Sequence, residues 1–425
     1  MSPTFHSLRI RNYRLYATGA VVSNIGTWMQ RVAQDWLVLQ LSHHSGLALG
    51  ITTGLQFLPM LLLGPWGGTL ADRYSKRTLL MMTQAFMGGI AAVLGLLDIT
   101  GLVQVWEVYL LALLLGVGTA LDNPTRQSFV VEMVGPEDLP NAVGLNSASF
   151  NLGRVIGPAT AGLLIDAIGT GPVFLVNAAS FAAVIYALTR MRASDLSPAP
   201  RAARGPGQIL EGIRYVRSRP DLVLILTIVF FVGTFGMNFQ MTTALMATQV
   251  FGKGAGEFGL LGSIMAVGSL SGSLLAARRG RPRLRFLVSW AIGFGLIEIV
   301  AGLMPTYVTF AILLVPCGLS ALTLITAANS SMQLGVDPMM RGRVMALYMA
   351  IFMGGTPFGA PLVGAVAEAF GARWSLIAGG AISATATGVA ALLLARRSGL
   401  QVRGDLFNAP RRREPVEDLA ESVLR

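Results

Sequence analysis

The stretch Gly67-Gly68-Thr69-Leu70-Ala71-Asp72-Arg73-Tyr74-Ser75-Lys76-Arg77 decides the fold. A long apolar run, Gly46 to Leu70, feeds into it, and a second, Leu79 to Leu97, leaves it. Two hydrophobic segments of spanning length joined by one acid and three bases read as a tight hairpin at a membrane surface. The bases stand where a positive-inside loop puts them, so the turn is expected on the cytoplasmic side.

Composition points the same way. The chain has 425 residues, 53% hydrophobic and 12% charged, about half the charged fraction of soluble domains. Mean hydropathy is +0.62. Glycine is abundant at 50 residues, as close helix packing in lipid requires. The single cysteine, Cys317, lies in an apolar run, cannot form an intramolecular disulfide, and reads as a small core residue. A net charge of +11 raises nucleic acid as a partner, and its distribution argues against it. Of 32 Lys and Arg, all but Lys253, Arg373, Arg31 and Arg154 fall in the N-terminal segment, the even-numbered loops or the C-terminal tail. That asymmetry is topology, with both termini cytoplasmic and no nucleic-acid partner. Arg9, Arg11 and Arg14 precede a full-length span with no small-residue cleavage site, so no signal peptide is expected.

Twelve spans are expected near 13–40, 46–71, 77–99, 103–126, 141–169, 172–191, 221–250, 255–277, 284–304, 306–331, 341–370 and 373–396. The runs are too long and unalternating for barrel strands, so the fold class is an all-α membrane protein. Residues 193–220 change character, with Pro198, Pro200 and Pro206 among arginines. Within them Ile209, Leu210, Ile213 and Val216 recur at helical spacing, which predicts a short amphipathic helix on the inner leaflet. The tail, 398–425, is polar and reads as disorder or a surface helix.

The chain repeats internally. A shift of 202 sets Val134-Gly135-Pro136 on Val336-Asp337-Pro338, and Gly157, Gly162, Asp166 and Gly169 on Gly359, Gly364, Glu368 and Gly371. A shift of 204 sets Gly64 and Gly68 on Gly268 and Gly272, with Ala276 in the place of Asp72. A shift near 210 sets Gly26 and Gln30 on Gly236 and Gln240. The order predicts two six-helix bundles related by pseudo-two-fold symmetry, 1–192 and 221–397, with a ligand cavity between them at the midplane.

With these spans around it, the opening turn resembles the loop signature of the major facilitator superfamily: Gly68, Leu70, Ala71, Asp72, Arg73, Lys76 and Arg77 fit, and Ser75 stands in place of the usual glycine. The resemblance implies a conformational gate at Asp72 and Arg73; a solvated turn with positive-inside bases is the plain alternative. Gly153-Arg154-Val155-Ile156-Gly157-Pro158-Ala159-Thr160-Ala161-Gly162 resembles the glycine-proline signature of the superfamily's proton-coupled exporters, with Ala161 replacing one glycine. That signature implies export, beside the bland reading of helix packing through Gly153, Gly157 and Gly162 with a bend at Pro158. Asp122-Asn123-Pro124-Thr125-Arg126-Gln127, together with Trp28-Met29-Gln30, Asp35-Trp36-Leu37, Asn141, Asn146 and Asn151, resembles the transmembrane-secretion-effector subgroup, which contains bacterial enterobactin exporters and macrolide-efflux proteins.

Charged residues inside spans are the remaining candidates. Asn24, Trp28, Arg31 and Asp35 share one helix face. Arg154 at a helix centre costs at least ~2.5–3.5 kcal/mol and needs a partner or a wet cavity. Asp35 pairs with Arg31 along the face or meets Arg154, unless the group is only a structural ion pair. Burial and a neighbouring arginine act on Asp35 in opposite senses, which makes it the leading candidate for a coupling proton, with Arg31, Arg154 and Asp122 beside it. Asp122 and Arg126 are four apart, so a local salt bridge is the default there. Gln30, Gln34, Asn238 and Gln240 offer hydrogen bonds to a polar ligand, or only glue helices. Glu298 reads as structural or interfacial. There is no G-x-x-x-x-G-K-[ST] loop, no nucleophile–base arrangement, no metal-ligand cluster, and His6, His43 and His44 all lie outside the spans, so no enzyme activity and no cofactor are expected. The expected function is a monomeric inner-membrane secondary transporter that exports a siderophore, drug or natural product by proton antiport, drawing on the proton gradient. A metabolite importer or uniporter, or a non-transporting sensor or assembly partner, is the alternative.

Overall fold

A computed structural model describes residues 3–197, 208–277 and 282–397, with the backbone alone described at Pro3, Pro65, Gly67, Gly68, Thr69, Ala71, Asp72, Gln208, Ile209, Ala277 and Arg397. The expectations for Gly68 and the side chain of Asp72 in the gate, for 198–207 and for the tail fall outside the described residues. All regular structure among the described residues is helical.

A short 3-10 turn, Pro3–Arg9, precedes α1 (Arg11–Leu41), α2 (Gly46–Arg73), α3 (Lys76–Ile99), α4 (Val105–Ile168) and α5 (Thr170–Thr189). After 208 come α6 (Gln208–Arg217), α7 (Pro220–Phe231), α8 (Phe239–Leu245), α9 (Ala255–Ala277), α10 (Leu284–Gly302), α11 (Tyr307–Gly335), α12 (Arg341–Gly354), α13 (Thr356–Phe370) and α14 (Ala372–Arg397). Ten of the described segments are long and apolar enough to cross a membrane. Large apolar side chains stand outward along them, among them Leu62, Trp66, Leu163, Val308 and Ile312, as a lipid-facing surface demands.

The opening turn is as tight as its sequence suggests. Ser75 caps α3 by accepting from the Thr78 amide, so the residue that replaces the usual glycine starts the next helix. Lys76 pairs with Glu132, while the Arg77 guanidinium donates to the carbonyls of Leu188 (2.8 Å) and Thr189 (3.0 Å). These bases therefore clamp α4 just before Gly135 and the end of α5 rather than merely facing water.

One expected loop is absent, and two expected spans keep their bounds but break internally. The loop expected over 127–140 is helical: α4 runs for 64 residues, interrupted only at Gly135 (φ 73°, ψ 175°). At about 1.5 Å per residue a straight helix of that length is roughly three bilayer cores long, so the glycine break divides it into two legs. Pro136 follows the break directly, where a first helical turn tolerates it. Two acids within this stretch are paired, Glu132 with Lys76 and Asp138 with His6. The expected span 221–250 is α7, a π-helical turn Val232–Gly236, α8, and a second π turn Met246–Val250. The expected span 341–370 divides at Gly355, with Pro357 in the first turn of α13.

The two ends of the molecule are held differently. At the end opposite the Tyr74–Ser75 turn, residues before 198 join residues after 207: Ser45 and the Leu47 amide reach Glu368, Gln249 reaches the His44 carbonyl, and the Gly256 amide reaches Asp166. At the turn end, His6–Asp138, Asn12–Arg192, Tyr215–Asp337 and Arg343–Glu211 each stay within one part of the chain.

Candidate functional site

The charged face of α1 meets the second leg of α4 and then the second part of the chain. Gly153 and Gly157 make the first contact possible. A Cβ on Gly153 would lie 2.9 Å from the Asn24 backbone, and one on Gly157 would lie 2.6 Å from Trp28 Cβ. One turn on, a Cβ on Gly162 would stand 2.5 Å from the Ala255 carbonyl, and one on Gly259 would stand 2.2 Å from that of Pro158. The glycine-proline stretch thus packs α1 with one end and α9 with the other.

On this scaffold Trp28 is the hub. Its ring meets Phe150 edge-on at 5.7 Å, with the Arg31 guanidinium 4.8 Å and the Arg154 guanidinium 5.9 Å from its centroid. The indole face offers both cations the electrostatic partner that lipid cannot. Arg154 also donates to Ser269 Oγ on α9 at 3.1 Å. Asp35 is buried at 5% exposure, with Arg31 one turn away and Gln240 of α8 facing it from the second part of the chain. Of the two sequence options for Arg154, the structure gives it Trp28 and Ser269, and it gives Asp35 the Arg31 and Gln240 neighbours.

The amides divide. Asn24 donates to Ser149 Oγ at 2.8 Å, and Gln34 to Gln56 at 3.4 Å. Gln30 accepts from Asn177, leaving its own buried amide nitrogen without a partner. Asn238 does not reach into the site: its amide donates to the Thr234 carbonyl at 2.8 Å and is spent on the π turn. Beneath Trp28 a cavity of about 130 Å³ is lined by Asn24, Asn146, Phe150, Arg126 and Gln127, with Tyr16 and Ala20 behind.

Asp122 is saturated. Its carboxylate accepts from Thr83 (2.9 Å), Gln84 (2.7 Å) and Arg126 (2.9 Å) at 2% exposure. Glu298 is the residue that spacing missed: it is fully buried rather than interfacial, and one carboxyl oxygen has no partner. It fills the space left by Gly236, Gly379 and Gly380, where a Cβ would meet it within 3.3 Å. The repeat shift that aligned Gly26 with Gly236 marked that site without naming its occupant. No group of His, Cys, Asp and Glu fit for a metal occurs among the described residues.

The family model described as transmembrane secretion effector matches residues 2–420. The chain is 25% identical to the staphyloferrin A transporter of Staphylococcus aureus, over 82% of this chain and 87% of that one. It is 27% identical to the multidrug efflux pump Tap of Mycolicibacterium fortuitum (84% and 90% covered) and 26% identical to the enterobactin exporter EntS of Shigella flexneri (84% and 83%). In fold it is similar to a bacterial homologue of the human lysosomal transporter Spinster in an inward-facing, occupied conformation, with a TM-score of 0.71 at 17% identity, covering 95% of this chain and 100% of that one.

Proposed function

Because the chain belongs to the transmembrane secretion effector family of the major facilitator superfamily, and is a multi-pass membrane transporter rather than an enzyme, we propose that it exports a small organic molecule by proton antiport. The relatives named as siderophore and drug exporters support the direction and the substrate class. The observation that carries the coupling is Asp35, a buried carboxylate between Arg31 of its own helix and Gln240 across the seam. A substrate that offers hydrogen-bond donors to Asp35 favours the ionised carboxylate and displaces its proton. Protonation from the opposite side withdraws that acceptor and releases the substrate. The amides and Trp28 supply a mixed polar and aromatic wall that suits amphipathic molecules.

In this reading twelve helices cross the inner membrane. The ten apolar segments are joined by α1, and α4 counts twice on either side of Gly135. Residues 1–192 and 221–397 form the two six-helix bundles, 193–220 the cytoplasmic linker and 398–425 the cytoplasmic tail. The transporter works as a monomer, with the proton gradient in place of a cofactor. Both termini face the cytoplasm, so the hydrogen-bonded end is the outer one and the structure is closed toward the outside.

Uptake into inverted membrane vesicles energised with a proton gradient tests the proposal. Gradient-dependent accumulation of a siderophore or drug inside the vesicles is the expected result. Movement in the opposite direction would make the protein an importer, gradient-independent equilibration a uniporter, and no movement of any compound a sensor or assembly partner.

A further inference from the structure

We infer that Asp166 and Glu368 form a pair of repeat-related carboxylate latches that hold the outer end closed. Each acid belongs to one half and caps the first turn of a helix in the other. The inference rests on the two-half reading above.

Glu368, near the end of α13, accepts from Ser45 Oγ at 2.6 Å and from the Leu47 amide at 3.1 Å. Ser45 is itself the cap of α2, accepting from the Ala48 amide at 3.1 Å, so the carboxylate extends a cap already in place. Asp166, near the end of α4, accepts from the Gly256 amide at 2.9 Å in the first turn of α9. A Cβ at Gly256 would lie 2.4 Å from Asp166 Oδ2, so a side chain there would push the acid away. The orphan amides of a first helical turn carry partial positive charge, which a carboxylate satisfies.

The two contacts are built alike. Asp166 stands four residues after Gly162 and three before Gly169 (φ 83°), and Glu368 four after Gly364 and three before Gly371 (φ 97°). In each case the preceding glycine brings the helices together: Gly162 against the Ala255 carbonyl, and Gly364 against that of Gly46, at 2.5 Å and 2.3 Å from an added Cβ. The acid one turn later on the same face then caps the helix that the glycine has approached. Neither carboxylate is in a salt bridge among the described residues, and both are exposed at the rim, so removing them leaves the packed core untouched. Glu257, by contrast, accepts from the Gly254 amide and so caps its own helix. The same chemistry there holds nothing across the seam.

The test is a spin-label distance measurement on the full chain. Cys317→Ser removes the one native thiol, and Leu102→Cys with Leu303→Cys places labels on exposed positions of the two halves. Asp166→Ala and Glu368→Ala should each raise the ratio of the long-distance, outward-open population by roughly fivefold, the typical strength of a capping contact, and the pair by roughly 25-fold. Glu257→Ala should leave the distribution unchanged. Unchanged distances in both latch variants of a protein that still exports would overturn the latch and leave the export reading standing. An equal shift with Glu257→Ala would overturn it too, since any lost cap would then suffice. A shift confined to the latch variants supports it even in a protein for which vesicles reveal no export.

Discussion

The Arg154 guanidinium donates to Ser269 Oγ at 3.1 Å, and that hydrogen bond ties the second leg of α4 to α9 beside Trp28. The guanidinium is held by one charge-assisted bond to a neutral hydroxyl and by an aromatic face, with no ion pair among the described residues.

Ser269→Ala should therefore cost roughly 1–2 kcal/mol, a modest fall in melting temperature of the purified protein. Arg154→Lys should be the worse change for transport, because an ammonium lacks the planar group that both lies over Trp28 and reaches Ser269. Thermal melts and vesicle transport measured side by side separate the two effects. A transport rate for Arg154→Lys at the wild-type level would mean that only charge matters at this position.

Asp122 and Arg126 predict the opposite profile. Removing the buried Asp122 strands the half-buried Arg126 guanidinium and the donors of Thr83 and Gln84, so Asp122→Leu should destabilise by about 3 kcal/mol. The double variant Asp122→Leu/Arg126→Leu should recover a large part of that loss, because the stranded charge goes with its partner. Folded yield and melting temperature read both. A fully stable Asp122→Leu protein would show that the carboxylate is not holding α3 to α4 and would return it to the coupling candidates.

Asp72→Asn should spare membrane insertion and slow turnover. Insertion depends on the other bases of the turn, and Lys76 and Arg77 keep their partners on α4 just before Gly135 and at the end of α5. On the proposed function, turnover would fall with loss of the gate that the family resemblance implies at Asp72. Wild-type transport by a normally expressed Asp72→Asn protein would leave the turn with a topological role alone.

The helical segments were legible because hydropathy and length act at every position of a span, so the runs that border α2 and α3 announced themselves. What the sequence hid was partnership. Spans 103–126 and 141–169 left a gap that holds Glu132 and Asp138, and nothing in the spacing placed Lys76 and His6 opposite them. Asn238 looks like a cavity amide until the π turn claims its donor. The repeat placed Asp166 over Glu368 and Gly162 over Gly364, yet register within a half says nothing of the helix met in the other half. For the same reason the charged face of α1 was readable as a face, whereas the approach of Gln240 to Asp35 from more than 200 residues away was not.

Proton exchange at Asp35 is the central claim, and its most direct measurement is substrate-induced proton release from purified protein in weakly buffered detergent solution. Wild type should release protons on adding an exported compound, and Asp35→Asn should bind the compound and release none. Equal release from both proteins would contradict the account and remove Asp35 from the coupling step.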